Sequence, residues 1–173
     1  MVIKWVFQKY QMMKSPIDYA RKIGVKVGNR CHFVTSPDWG SEPWLITIGD
    51  HVELSSHVSF ITHDGATWVF RDEYKDILRY GKIIIHNNCF IGMGTTIMPG
   101  VEIGENSIIG ANSVITKPIP ANSVYAGNPA HFITTIDNYR QKCLEGTPDY
   151  DINEYKKDKK QVVLQLLEKK LKL

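Results

Sequence analysis

Histidine is the side chain that gains and loses a proton near neutral pH, and this chain of 173 residues carries six of them. Three, His51, His57 and His63, fall at intervals of six residues. One neutral imidazole takes a proton from a hydroxyl, whereas several brought together hold a transition metal. His63 has the more unusual surroundings. It lies in FITHDGATWVF, beside Asp64-Gly65, at the root of ATWVFRDEYKDILRYGK, a segment with seven charges. On these residues alone His63 is either a general base beside a loop or a well-bonded turn residue. Cys31, Cys89 and Cys143 are odd in number and far apart, which fits reduced thiols rather than a disulfide framework or a zinc site.

The readings separate only through the elements that carry the histidines. An aliphatic or aromatic residue recurs every sixth position at Ile48, Leu54 and Phe60, and again at Ile85, Ile91, Ile97, Ile103, Ile109 and Ile115. Glycine follows it in IGMGTT, IGENSI and IGANSV, and Val52, Val58, Val101, Ser107 and Ser113 fill the fifth place. A weaker start appears at Ile23, as IGVKVG. This period fits no helix, and Pro99 and the glycines oppose one. A short strand plus a tight turn does fit, with the aliphatic inward and neighbouring coils paired as parallel strands. The count fails once: from Phe60 to Ile85 the chain advances by four sixes plus one. The charged segment there is a loop projecting from the repeat. Trp68, Phe70, Tyr74, Leu78 and Tyr80 argue against disorder in it.

One domain accounts for the length: a helical N-terminal cap over 1–22, the repeat over 23–120 with its loop at 63–81, and a C-terminal part over 121–173. That last part holds a return segment and helices over 137–147 and 153–173, separated by the turn-rich GTPDYD. The final helix sets Val163, Leu166, Leu167 and Lys170 on one face, a stripe suited to packing on the body or on a neighbouring subunit. No run of eighteen apolar residues predicts a membrane span, and the interrupted start MVIKWVFQKYQMMKS is no signal peptide, so the expected location is the cytoplasm. The net charge of +3 belongs to the tail. Residues 153–173 hold seven lysines against three acids, leaving fourteen basic and fifteen acidic residues elsewhere. A near-neutral body offers nucleic acid no basic patch.

The ordered series ITIGDHV, FITHDG, IMPGVEIGENSIIGANSVITKPIP and YAGNPA, between Trp44 and Ile136, resembles the hexapeptide-repeat acyltransferases. It is most similar to the galactoside and maltose O-acetyltransferases and the polysaccharide O-acetyltransferases. The resemblance implies a mainly β fold, a left-handed parallel β-helix of triangular section with eighteen residues per turn. Ile85 would then lie beneath Ile103, and Ile97 beneath Ile115. It implies transfer of an acetyl group from acetyl-CoA to a hydroxyl of a sugar or glycan precursor, by a homotrimer with active sites between subunits and no metal. His63 matches the family's catalytic histidine, a general base for direct transfer. In such a helix His51, His57 and His63 lie near three different corners, which opposes a shared metal. The γ-class carbonic anhydrases share the architecture, but their pair of histidines separated by four residues is missing here.

The same resemblance places the pantetheine arm along Met93, Gly94, Gly110 and Ala111, with an oxyanion donor among the backbone N–H groups near Met93-Gly94. Thr116 and Lys117 match positions near the nucleotide phosphates. Arginines usual after the GNPA-like motif are replaced by His131 and Thr134, so acyl-CoA binds less tightly or other charges substitute. On the acceptor side, SPDWGSEPW (36–44) interrupts the early repeat and resembles a stretch of the polysaccharide-modifying relatives. Glu42 there orients His63 or holds a sugar hydroxyl, with Asp38 and Asp64 as rivals. Trp39, Trp44 and Trp68 form either an apolar platform for a sugar ring or buried packing. Two other functions stay open: N-acetylation of an amino-sugar by the same base, and a β-helical scaffold that has lost catalysis.

Overall fold

The computed structural model describes residue 10 and residues 12–171. Its contacts divide into two compact units, 1–136 and 137–173, where composition suggested a single domain. The first unit opens with α1 (Pro16–Lys22), which carries the SPIDYARKI part of the expected cap; residues 1–9 and 11 lie outside the described residues. Twelve short strands follow in a repeating order: β1 (Lys26–Val27), β2 (His32–Phe33), β3 (Ile46–Ile48), β4 (Glu53–Leu54), β5 (Ser59–Phe60), β6 (Ile83–Ile85), β7 (Phe90–Ile91), β8 (Thr96–Ile97), β9 (Glu102–Ile103), β10 (Ile108–Ile109), β11 (Val114–Ile115) and β12 (Ser123–Gly127). A thirteenth, β13 (Ala130–Thr135), turns back.

The strands form three sheets, ordered β1-β3-β6-β9, β13-β12-β10-β7-β4-β2 and β11-β8-β5, and from β3 to β11 successive strands join them in rotation. Every pairing is parallel except β12 with β13. The chain therefore coils round three faces. Ile85 pairs with Ile103 and Ile97 with Ile115, as the eighteen-residue turn requires. The coil also runs past the boundary drawn at Pro120. Ile108 still pairs in parallel with Val124, and only then does β13 return antiparallel.

Three places in each six-residue unit explain why this sequence coils. The first-place side chains from Ile48 to Ile115 stack in the core, nearly all wholly buried. Each contributes roughly 1.5–3 kcal/mol on burial. The fourth place makes the corner. Arg30, His51, His57, Asn88, Asn106, Asn112 and Asn122 have φ between 53° and 60°, and Gly94 and Gly100 are left-handed too. Asparagine and glycine tolerate that backbone best. The fifth place is small because it is also interior, and its polar atoms are satisfied there. The Thr95 hydroxyl donates to Gly110 O (3.2 Å) and that of Ser107 to Pro120 O (3.1 Å). On one corner a ladder of side chains, His51–Asn88–Asn106–Asn122, links four successive coils at 2.8, 2.7 and 3.0 Å.

The lost count has a plain cause. Phe60 pairs with Ile97 rather than with the residue eighteen places on, and the surplus equals the length of the excursion 63–81. With the excursion left out of the count, Ile85 again falls six places after Phe60. The excursion is closed at its root by a His63–Tyr80 antiparallel bridge, with Asp64 N–H donating to Arg79 O (2.8 Å) and Gly81 N–H to Thr62 O (2.9 Å). A smaller slip precedes it. Phe33 pairs with Leu54, three places beyond a full turn, so the 36–44 segment adds three residues to the first coil.

The second unit is helical, built from most of α2 (Ile136–Gly146), then α3 (Ile152–Lys157) and α4 (Lys159–Leu171). The single helix expected over 153–173 is thus two. Asp158, with φ −143°, ends α3, and its carboxylate accepts the Gln161 N–H (3.0 Å) to begin α4. Among the described side chains of α4, Val162 is buried and Leu166 half-buried, while Val163, Leu164 and Leu167 are exposed.

Candidate active site

His63 is the one histidine of the evenly spaced three that escapes the corner conformation. His51 and His57 are left-handed corner residues on successive corners, and His51 is bonded into the asparagine ladder. His63 occupies the fourth place by count, yet the chain leaves the coil there. Its Nδ1 lies 2.9 Å from Glu42 Oε2. The same carboxylate oxygen accepts the hydroxyl of buried Thr62 at 2.6 Å. Glu42 comes from the three-residue slip, just ahead of the 3-10 turn Pro43–Leu45, so the two departures from the repeat meet at one point.

The electrostatics of this contact are one-sided. The Thr62 hydroxyl first, and His63 second, hold the Glu42 carboxyl below its ordinary value of 4.5. Glu42 is therefore ionised at neutral pH and accepts the Nδ1 proton, which leaves Nε2 with its lone pair. The imidazole is 42% exposed, so Nε2 chemistry is open to a ligand, while the carboxylate behind it is only 15% exposed. Of the three carboxylates proposed to orient His63, Glu42 alone does so. Asp38 accepts the Gly40 N–H (3.1 Å), and Asp64 caps the 3-10 helix Gly65–Phe70 through Ala66 N–H (3.0 Å).

A cavity of about 270 Å³ opens at His63, lined by Asp64, Arg79, Met98 and Thr116 among others. Thr116 thus stands with the histidine rather than apart from it. Met93 and Gly94 are elsewhere, on the corner that carries His57 and Asn112, where Gly94 N–H donates to Ser56 O (2.9 Å) and is no longer a free oxyanion donor. Gly110 and Ala111 lead into that same corner. Lys117 is exposed, and His131 is an exposed residue of β13 opposite Ala126. Trp39 is a core residue, 4% exposed and stacked on Phe60 with centroids 5.0 Å apart, so it offers no ring face to a ligand. Trp68 is 72% exposed, with the Arg71 guanidinium 5.6 Å from its centroid. Residues of the site that escaped sequence reasoning include Thr62, Arg79 and Tyr80, whose ring lies 5.9 Å from that of His63. Their only signal is the pairing of the loop's two ends.

A three-faced parallel coil of six-residue units, whose two departures from the repeat meet at a carboxylate-bound imidazole, defines the class by fold and site. The bacterial transferase hexapeptide (six repeats) family matches residues 82–117. Protein CapG of Staphylococcus aureus is 44% identical over 150 residues, covering 86% of this chain and 87% of that protein. A galactoside O-acetyltransferase of Lactococcus lactis is 37% identical, over 64% of this chain and 53% of its own length. Among solved structures, a hexapeptide-repeat acetyltransferase of Vibrio cholerae complexed with acetyl-CoA superposes with a TM-score of 0.57 over 74% of this chain and 82% of that one; at 22% identity it speaks for the fold alone. The chain belongs to the hexapeptide-repeat transferase family, and it is an enzyme of the acyltransferase class. Among the described residues no helix is long and apolar enough to cross a membrane.

Proposed function

We propose that this protein is an acetyl-CoA-dependent O-acetyltransferase acting on a hydroxyl of a sugar or glycan precursor, with His63 as the general base. We further infer a left-handed coil and a cytoplasmic homotrimer. The observation that carries the reading is the His63–Glu42–Thr62 chain of hydrogen bonds at the one long break in the repeat.

The chemistry follows from that chain. A sugar hydroxyl is a weak nucleophile at neutral pH, and Nε2 of a neutral imidazole accepts its proton as the oxygen attacks the thioester carbonyl. The Glu42 carboxylate holds the ring in the required tautomer and stabilises the imidazolium that forms. As the C–S bond breaks, the imidazolium returns the proton to the departing thiolate. No covalent bond to the enzyme is needed. For the donor, Met93 and Ala111 are exposed at or beside one corner of the coil, where a thin pantetheine arm has room to lie along the chain. That corner is not the one carrying His63, which is why the reading includes a second copy of the chain in each site.

His63→Ala should lower transfer by about 10²–10⁴-fold, the usual worth of a general base, while circular dichroism stays unchanged and the thermal transition stays cooperative. Turnover at the wild-type rate under saturating acetyl-CoA would remove His63 from the mechanism. Absence of any calorimetric heat with millimolar acetyl-CoA would remove the acyl donor and leave a scaffold.

A further inference from the structure

The 36–44 segment does more than deliver Glu42. Its first half walls a cavity of about 470 Å³, together with α1 and the second coil, and the residues that line it include Tyr19, Ser36, Asp38, Trp39, His57 and Ser59. Small-molecule sites run from roughly 300 to 1,000 Å³; this cavity falls within that range and the one at His63, at about 270 Å³, falls below it. No hydrogen bond uses the Tyr19 hydroxyl, the His57 ring or the Ser59 hydroxyl among the described residues. The Trp39 indole N–H is the one buried side-chain polar group among the described residues that lacks a partner, and it has no open surface for a ligand to reach. Hydroxyls and an imidazole that both donate and accept, with a carboxylate that accepts, are the complement of a sugar ring, not of an apolar or highly charged ligand.

The cavity is close to His63 but not at it. Gly40 forms its rim, and a Cβ there would lie 3.3 Å from the same Thr62 Oγ1 that bonds Glu42. From Ser59 in the cavity to His63 is four residues of extended chain, or about 13 Å at roughly 3.3 Å per residue. A base must stand within about 3 Å of the proton it takes, so one ring cannot fill both places.

We propose that this cavity is a distal glycan subsite and that the acceptor is a chain of at least two linked sugars, one ring held by Tyr19 and His57 while another presents its hydroxyl to His63. The inference rests on the O-acetyltransferase reading. The test compares acetyl transfer to mono-, di- and trisaccharides of glucose, galactose and N-acetylglucosamine. Within at least one series kcat/KM should rise roughly tenfold or more with chain length, the weight of about one added hydrogen bond. The double variant Tyr19→Phe/His57→Asn should bring that ratio back toward one. Phenylalanine keeps the packing of Tyr19, and asparagine already holds the same left-handed corner at Asn88, Asn106, Asn112 and Asn122, so the fold is preserved. Transfer that is equal at every chain length, or a gain that survives the double variant, overturns the subsite and leaves O-acetylation standing. Transfer to no saccharide of any length overturns both.

Discussion

A carboxylate 2.9 Å from an imidazole nitrogen fixes which nitrogen carries the proton and lowers the cost of adding a second one. Glu42→Gln keeps the shape but removes the charge, and an amide can turn either end to the ring. Transfer should fall by about 10–100-fold, the scale on which partners that orient a functional imidazole act, with the KM for acetyl-CoA little changed; a variant that turns over at full rate would reduce Glu42 to packing. The pH dependence has a definite sign. Hydrogen bonds from Thr62 and His63 depress the folded pKa of Glu42 below 4.5. Its contribution to stability is therefore complete above that value and is lost as pH falls through the lower folded pKa. Thr62→Val removes the larger cause, so wild type should exceed it in thermal midpoint at pH 7 and the gap should narrow below about pH 4.5. A gap of the same size at pH 3 would refute the assignment.

The excursion 63–81 is an insertion in the full sense, since the residues on either side of it pair as though it were absent. Deleting the whole of it and replacing Lys82 with Asn at the resulting corner would restore an eighteen-residue turn. Phe60 would then stand six residues before Ile85, with Ile83 still in the buried fifth place. This shortened coil should fold with a cooperative transition and transfer nothing. A deletion that leaves one residue of the excursion behind shifts the register by one, and a shift of one turns a strand's inward side chains to the outer face; that chain should fail to give a cooperative transition. Equal folding of both would show that register does not govern the coil. The sequence made this architecture readable because one residue type recurs at one interval, and stacking converts that interval directly into contacts. The site was readable in part. His63 stands where the count breaks, but the choice among Glu42, Asp38 and Asp64 lay outside the repeat, in segments whose path no periodicity constrains. Trp39 shows the same limit. Its ring fills the first coil against Phe33 and Phe60, a packing role set by the three-residue slip rather than by any pattern near residue 39.

Two halves of the proposed chemistry sit on different corners of one chain. His63 is at the corner between the third and first faces, while Met93, Gly94 and Ala111 lie at or beside the corner between the second and third, with His57 below and Asn112 above. Side chains on separate corners of a packed coil cannot converge, so under the proposed roles a working site takes its base from one copy and its donor groove from another. Closed cyclic symmetry then makes every site equivalent and every chain a contributor to two of them. This can be read by complementation. The groove variant has to be Ala111→Trp, because Ala111 is exposed, whereas a Cβ on Gly110 would lie 2.8 Å from that of Ala126 and disturb the coil. His63→Ala and Ala111→Trp should each be inactive alone. Unfolded together in equal amounts and refolded, they should assort at random in a cyclic trimer and recover roughly a quarter of wild-type activity, since half the sites receive an intact base and half of those an intact groove. Mixing without refolding should recover none. If refolded mixtures stay inactive while each variant forms trimers, base and groove belong to the same chain, and the shared site is wrong.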